Sequence, residues 1–306
     1  MTRVVLVQAT PRTVTGVLTW RAWQALRDAG TVRARTLDPQ WRTALADAGV
    51  RVEGTDEAVP GGTWFDPLGD EELVAALADA AVTSGVELEV VLGSYDAPGA
   101  RVLDLVATMD RLRSPGGCPW DAQQTHASLL RYLVEEAYEV VDAVETGDRT
   151  HLREELGDLL LQVVFHSRVA AEDPDDPFTV DDVAAGIVDK LVRRHPHVFG
   201  EAHAPTARHV EADWEVQKAV EKGRESALDG IPASLPSLAR AEKMLDRLHS
   251  HGVPVTLPEP SDVGTRLLHD VASARAEGTS AEEALRAALR QWEVAVRAVE
   301  RASVDR

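Results

Sequence analysis

Two long amphipathic segments separated by a short turn constrain the fold of this chain more than any other feature. The pattern predicts one helix over Thr125–Glu145, stopping at Gly147, and a second over Thr150–Ala171, stopping before Pro174. Helices joined by so short a turn must lie antiparallel, so we expect them to pack on each other. The first segment supplies an apolar stripe at helical spacing: Leu130, Leu133, Val134, Ala137, Val140, Val141 and Val144.

The rest of the chain separates into regions of different periodicity. Residues 1–99 alternate short apolar runs, such as Val4–Val7 and Val86–Leu92, with helical segments, which predicts a small α/β domain of unknown role. Residues 100–236 predict a helical domain, and residues 237–306 predict further helices after proline-rich breaks. The expected fold class is therefore mainly α, with a small N-terminal α/β domain.

Composition excludes several classes of partner. The net charge of −19 argues against general binding to nucleic acid or to an anionic membrane, because both repel an acidic surface. The one cysteine, Cys118, allows no disulfide within the chain. No apolar run approaches the length of a membrane span or of a signal peptide. These features predict a cytoplasmic protein.

Acidic side chains are concentrated beside the apolar stripes of both hairpin helices. They lie at helical spacing: Glu135, Glu136 and Glu139 on the first helix, and Glu154, Glu155 and Asp158 on the second. Like charges three or four residues apart destabilise an isolated helix by roughly 0.2–0.5 kcal/mol per pair. In an antiparallel hairpin they can meet at one rim, where Mg²⁺ or Mn²⁺ would offset their repulsion. A merely solvated acidic face is the simpler alternative, and the spacing alone leaves both open.

Four ordered motifs resemble the MazG family of nucleoside triphosphate pyrophosphohydrolases. The segments Glu135–Glu139 and Glu155–Asp158 resemble the family signature E-E-x-x-E followed by E-x-x-D. The loop at Gly117–Asp121, with Gln124-Thr125 after it, resembles G-C-P-W-D-x-x-Q-T. The segments Leu156–Phe165 and Arg193–Phe199 are also similar to family sequences, and the likeness extends over about residues 102–236.

The resemblance implies an all-α catalytic domain in a homodimer or higher homo-oligomer. It implies Mg²⁺-dependent hydrolysis of NTPs and dNTPs to a monophosphate and pyrophosphate, with a housecleaning role in the nucleotide pool. The implied metal ligands are Glu136, Glu139, Glu155 and Asp158. The implied catalytic residues are Glu135, Glu136 and Glu139, one of which would help to deprotonate the attacking water.

The resemblance also implies a substrate-binding set of Lys190, Arg194, Trp214 and Lys218. Lys190 and Arg194 are four residues apart on one predicted helix, so both cations can project toward a polyphosphate. Their position near the end of that helix equally fits interaction with its macrodipole. The indole of Trp214 can stack on a base, although a core aromatic is the alternative.

Three functional hypotheses remain open at this point. The first is the broad pyrophosphohydrolase, and the second is a narrower pyrophosphatase acting on dUTP, dCTP or a phosphoribosyl nucleotide. The third is a helical dimer that binds nucleotide without turnover. The C-terminal region resembles an eroded second copy of the helical domain, because it lacks both acidic motifs. We expect that copy to serve packing or subunit contact.

Overall fold

The computed structural model describes residues 3–201, 206 and 226–304. It divides into two compact units, Met1–Ile187 and Val188–Arg306. The first unit contains a parallel sheet and the helical hairpin, and the second contains the C-terminal helices. The predicted fold class, mainly α with an N-terminal α/β region, is confirmed.

The N-terminal region is a five-stranded parallel sheet with strand order β3-β2-β4-β1-β5. Its strands are β1 (Arg3–Gln8), β2 (Thr31–Ala34), β3 (Arg51–Gly54), β4 (Gly62–Asp66) and β5 (Glu87–Leu92). Three helices connect them: α1 (Trp20–Ala29), α2 (Pro39–Asp47) and α3 (Glu71–Ser84). Strand β4, which the sequence pattern did not reveal, lies between β1 and β2 and joins the two halves of the sheet.

Alternation along β1 builds a core on each face of the sheet. Val5 and Val7 point to the face covered by α1 and α2, where they belong to one buried cluster with Leu26. Val4 and Leu6 point to the opposite face and pack with α3. Side chains alternate across a strand, so a run of consecutive apolar residues is buried on both faces.

The guanidinium of Arg12 ties the sheet to the first helix of the helical region. Arg12 follows β1, and its Nη1 donates to both carboxylate oxygens of Asp104, at 2.7 and 2.8 Å. It also pairs with Asp96, in the loop after β5, through Nε at 3.0 Å and through Nη2. One cation therefore holds together two sheet loops and a helix of the same unit.

Among the described residues, the remaining elements are helical. The first unit continues with α4 (Arg101–Arg113), α5 (Pro119–Gln123), α6 (His126–Thr146) and α7 (Arg149–Ala170), and α8 (Val180–Arg194) crosses into the second unit. The second unit contains the short α9 (Pro196–Phe199), then α10 (Ser237–Ser250), α11 (Val263–Ala276) and α12 (Ala281–Val304). Across the described ranges, no helix combines the length and the apolar character that a membrane span requires.

Helices α6 and α7 form the predicted hairpin, and each predicted end lies one residue from the observed end. They pack on each other. Three residues of the apolar stripe, Leu130, Val134 and Val144, are nevertheless each more than half exposed in the single chain. The buried positions of α6 are Leu129 and Ala143. The stripe is wide enough to turn part of its apolar surface away from α7.

Candidate metal-binding active site

Local capping fixes how the two helices of the hairpin meet. Helix α6 starts with a capping box, in which Thr125 Oγ1 accepts from the Ser128 amide and Ser128 Oγ accepts from the Thr125 amide. It ends at Gly147, whose φ of 75° requires a residue without a side chain. Asp148 then caps α7 by accepting from the amides of Thr150 and His151, at 2.9 and 3.1 Å. The whole connection thus consists of two residues, each used to end or begin a helix.

Three carboxylates from the two helices converge beside this interface. Glu136 of α6 and Glu155 and Asp158 of α7 each offer one oxygen, and these oxygens all lie within 4.8 Å of one another. We call these three residues the carboxylate cluster. Glu155 is buried with 7% exposure, whereas Glu136 and Asp158 are partly exposed. The expectation that the acids meet at one rim therefore holds for members of both helices.

Burial and electrostatic repulsion raise the pKa of two carboxylates of the cluster. Burial, a hydrogen bond with Glu139 and the charge of Asp158 raise the pKa of Glu136 to about 7. Burial, followed by the charge of Glu139, also raises the pKa of Glu155. A carboxylate beside other carboxylates resists ionisation unless a cation is present. The donor set is all oxygen and partly buried, which fits a hard divalent cation.

The two other acids predicted for the site, Glu135 and Glu139, differ in their distance from this cluster. Glu139 lies one turn after Glu136 and is close enough to interact with both Glu136 and Glu155. Glu135 is exposed on α6 and is not one of the three closely grouped side chains.

The structure describes two of the four predicted substrate-binding residues. Lys190 and Arg194 lie on α8 in the second unit, Lys190 partly exposed and Arg194 buried. Trp214 and Lys218 lie outside the described residues. Their assignment to the phosphates and to the base stays a prediction.

The loop before α6 is held by a buried arginine that sequence reasoning missed. Arg113 pairs with Glu172 through Nη2 at 2.6 Å and Nε at 3.1 Å. Its Nη1 donates to the carbonyl oxygens of Asp121 and Gln124, the latter at 3.2 Å. Its guanidinium lies 5.6 Å from the centre of the Phe165 ring. No sequence spacing signals these contacts, since they join residues of α4, the loop and the end of α7.

The same loop approaches the end of α4 very closely at Gly117. A Cβ at this position would lie 2.2 Å from the carbonyl oxygen of Leu112 and 2.4 Å from that of Arg111. The amide of Cys118 donates to the Leu112 oxygen at 2.7 Å, so backbone contacts fix the loop here. A glycine is therefore required for steric reasons.

A second missed contact lies at the carboxylate cluster. His151 Nε2 is 2.8 Å from Glu155 Oε1, and the two residues are four apart on α7. This spacing was a usable signal, because side chains at i and i+4 are neighbours on a helix.

Comparison with known proteins agrees with this architecture. Residues 124–199, which include α6, α7 and α8, match the family model of the MazG nucleotide pyrophosphohydrolase domain. The chain is 51% identical to an uncharacterised 26.1 kDa protein of Streptomyces cacaoi, over 75% of this chain and 95% of that protein. It is 40% identical to the nucleoside triphosphate pyrophosphohydrolase of Escherichia coli K12, over 64% of this chain and 86% of the relative.

One solved structure is also similar. The crystal structure of a mazG-related protein from Thermotoga maritima is 29% identical to this chain, with a TM-score of 0.32. The match covers 39% of this chain and 96% of that structure.

The sequence matches identify the chain as a nucleoside triphosphate pyrophosphohydrolase, and the carboxylates of the helical hairpin agree with that class. Within that class, the chain belongs to the MazG family.

Proposed function

We propose that this protein hydrolyses nucleoside and deoxynucleoside triphosphates to a monophosphate and pyrophosphate, with Mg²⁺ as the cofactor. A role in removing unwanted nucleotides from the cellular pool would follow from that activity. The observation that carries the proposal is the convergence of Glu136, Glu155 and Asp158 within 4.8 Å. The name of the Escherichia coli relative supports the same reaction class.

The carboxylate cluster, with Glu139 beside it, would hold the cation. A bound Mg²⁺ would neutralise charge on the triphosphate and lower the pKa of water next to it. Burial, the hydrogen bond with Glu139 and the neighbouring negative charges raise the pKa of Glu136 to about 7, which supports this assignment because a cation offsets the repulsion among these charges.

One of the glutamates of α6 would act as the general base. In the reaction the oxygen of a water molecule forms a bond to the α-phosphorus, and the bond from that phosphorus to the α–β bridging oxygen breaks. A carboxylate oxygen of Glu135, Glu136 or Glu139 accepts the proton that the water loses. The electron pair of the broken bond leaves with pyrophosphate. Single glutamine substitutions at these three positions identify the general base. Replacing the base should lower kcat and should have the smallest effect on metal affinity.

Cationic and aromatic groups would bind the rest of the substrate. We assign the phosphates to Lys190 and Arg194, which lie one turn apart on α8. We assign the base and its neighbouring phosphates to Trp214 and Lys218, as the family resemblance implies.

We also propose that the protein is a homodimer or a higher homo-oligomer. Apolar side chains of the hairpin are substantially exposed in the single chain: Leu130 and Val134 on α6, and Leu156, Leu160 and Val163 on α7. Exposed apolar rows of this extent mark interaction surfaces. A Leu130→Glu, Leu160→Glu double variant should shift the mass measured by light scattering toward that of the monomer.

A pyrophosphate-release panel tests the catalytic proposal. Canonical and modified NTPs and dNTPs, together with dUTP, dCTP and a phosphoribosyl nucleotide, are assayed with Mg²⁺ and with EDTA. We expect release from many triphosphates, and its loss in EDTA. Turnover confined to one of the last three substrates would instead favour the narrower pyrophosphatase.

Two site variants and a matched control distinguish catalysis from nucleotide binding alone. Asp158→Asn and Glu139→Gln should each lower turnover by at least about 100-fold, because each removes a charge from the cation site. Asp142→Asn removes an exposed charge from α6, the helix that also carries Glu139, and should leave turnover unchanged. Full activity in both site variants would refute the assignment.

A further inference from the structure

We propose that His151 is a positioning residue that holds the Glu155 carboxylate in the orientation that binds the divalent cation. The inference rests on the proposed function, and it adds a residue that none of the four family motifs contains. His151 lies on the first turn of α7, one turn before Glu155.

His151 is held in place through both its backbone and its side chain. Its backbone amide donates to the N-cap carboxylate of Asp148 at 3.1 Å, so the residue sits in a well-defined first turn. Its Nε2 then meets Glu155 Oε1 at 2.8 Å. The histidine side chain is 41% exposed and the glutamate side chain 9% exposed. The ring therefore covers the solvent side of a buried carboxylate.

The contact between His151 and Glu155 counteracts the electrostatic repulsion within the carboxylate cluster. Glu155 faces the carboxylates of Glu136 and Asp158, and repulsion favours rotation of its side chain out of the cluster. A buried carboxylate oxygen also needs a hydrogen-bond donor. An N–H donor on Oε1 satisfies that oxygen and resists the rotation. Donors that hydrogen-bond a metal ligand orient it, and losing one weakens metal binding by about 10- to 100-fold.

Mn²⁺ binding, measured from the loss of the free-ion EPR signal, tests the proposal on the intact protein. We expect His151→Ala to weaken Mn²⁺ binding by about 10-fold. His151→Gln should recover most of that loss, because the glutamine Nε2 can donate from a similar distance along the side chain. Arg153→Ala removes an exposed side chain from the same turn of the helix and should bind Mn²⁺ like the wild type.

Pyrophosphate release across a metal titration supplies the second readout. His151→Ala should need about 10 times more metal for half-maximal rate, while kcat at saturating metal stays within a few-fold of the wild type. A general folding defect would instead lower kcat at every metal concentration and would not be corrected by glutamine.

Two results would overturn the inference while the proposed function stands. One is wild-type Mn²⁺ affinity in His151→Ala, and the other is a glutamine variant that binds as weakly as the alanine variant. A wild-type protein that neither binds Mn²⁺ nor releases pyrophosphate would remove the proposed function, and the inference with it.

Discussion

Replacing Glu136 with glutamine removes one charge from the carboxylate cluster and keeps the size of the side chain. In the folded protein the pKa of Glu136 is raised from its ordinary value of 4.5 to about 7, chiefly by burial and by Glu139. The folded state therefore holds this proton more tightly than the unfolded state. The resulting stabilisation is fully present below pH 4.5 and is lost as the pH rises through about 7.

The size of the effect follows from the difference in pKa. Each pKa unit corresponds to about 1.4 kcal/mol, so the full difference corresponds to about 3 kcal/mol. Glu136 is partly exposed, and water screens the repulsion. We therefore expect the metal-free wild type to lose about 1–2 kcal/mol of unfolding free energy through this group between pH 5 and pH 8. The glutamine variant lacks the loss and should be the more stable protein at pH 8.

Urea unfolding at pH 5, 6.5 and 8 in EDTA, repeated with Mg²⁺, measures this directly. The difference between variant and wild type isolates Glu136 from the other titrating groups. Mg²⁺ should stabilise the wild type at pH 8 and stabilise the variant less, because a ligand stabilises the state that binds it. Asp142→Asn controls for removal of a charge from α6. A Glu136→Gln variant that is no more stable than the wild type at pH 8 without metal would refute the reasoning.

Two further predictions concern the loop before α6. Gly117→Ala should cost about 3 kcal/mol of unfolding free energy, because its Cβ would meet backbone oxygen at 2.2 Å. The control variant Gly186→Ala lies on α8, where a Cβ would meet nothing within 4 Å. It should be neutral or stabilising by up to about 1 kcal/mol. Equal stability of the two variants would contradict the steric argument. Arg113→Leu should cost about 2 kcal/mol by urea unfolding, because Glu172 and two carbonyl oxygens lose their donor. Arg111→Leu, exposed on the same helix, should change stability by less than about 0.5 kcal/mol, and a similar loss in both variants would show that the buried contacts do not matter.

The hairpin could be predicted because its signals are local. The Thr125 cap, the glycine at 147 and the cap at Asp148 determine where each helix begins and ends, and helical spacing brings the acids to one side. These interactions involve residues within one turn of each other, so the sequence pattern contains them. The meeting of Glu136 with Glu155 and Asp158 then follows from the antiparallel arrangement.

Features that depend on long-range contacts could not be predicted. Strand β4 is short, begins at Gly62 and has no alternation, and only its pairing with β1 and β2 identifies it. The partner of each residue in the apolar stripe of α6 could not be predicted either, because periodicity marks an apolar face and not what covers it. Leu130 and Val134 show the difference, since both are exposed in the single chain.

The two-residue connection between α6 and α7 fixes how the carboxylates of the two helices are aligned. Neither Gly147 nor Asp148 can accommodate a change in the length of the connection, because Gly147 ends α6 and Asp148 caps the start of α7. An extra residue taken up in the first turn of α7 would rotate the later residues of that helix by about 100° about its axis. The acids of α7 would swing away from Glu136, although both helices would still form. Insertions and deletions at this turn should therefore be selected against even where substitutions on the outer faces of the helices are tolerated.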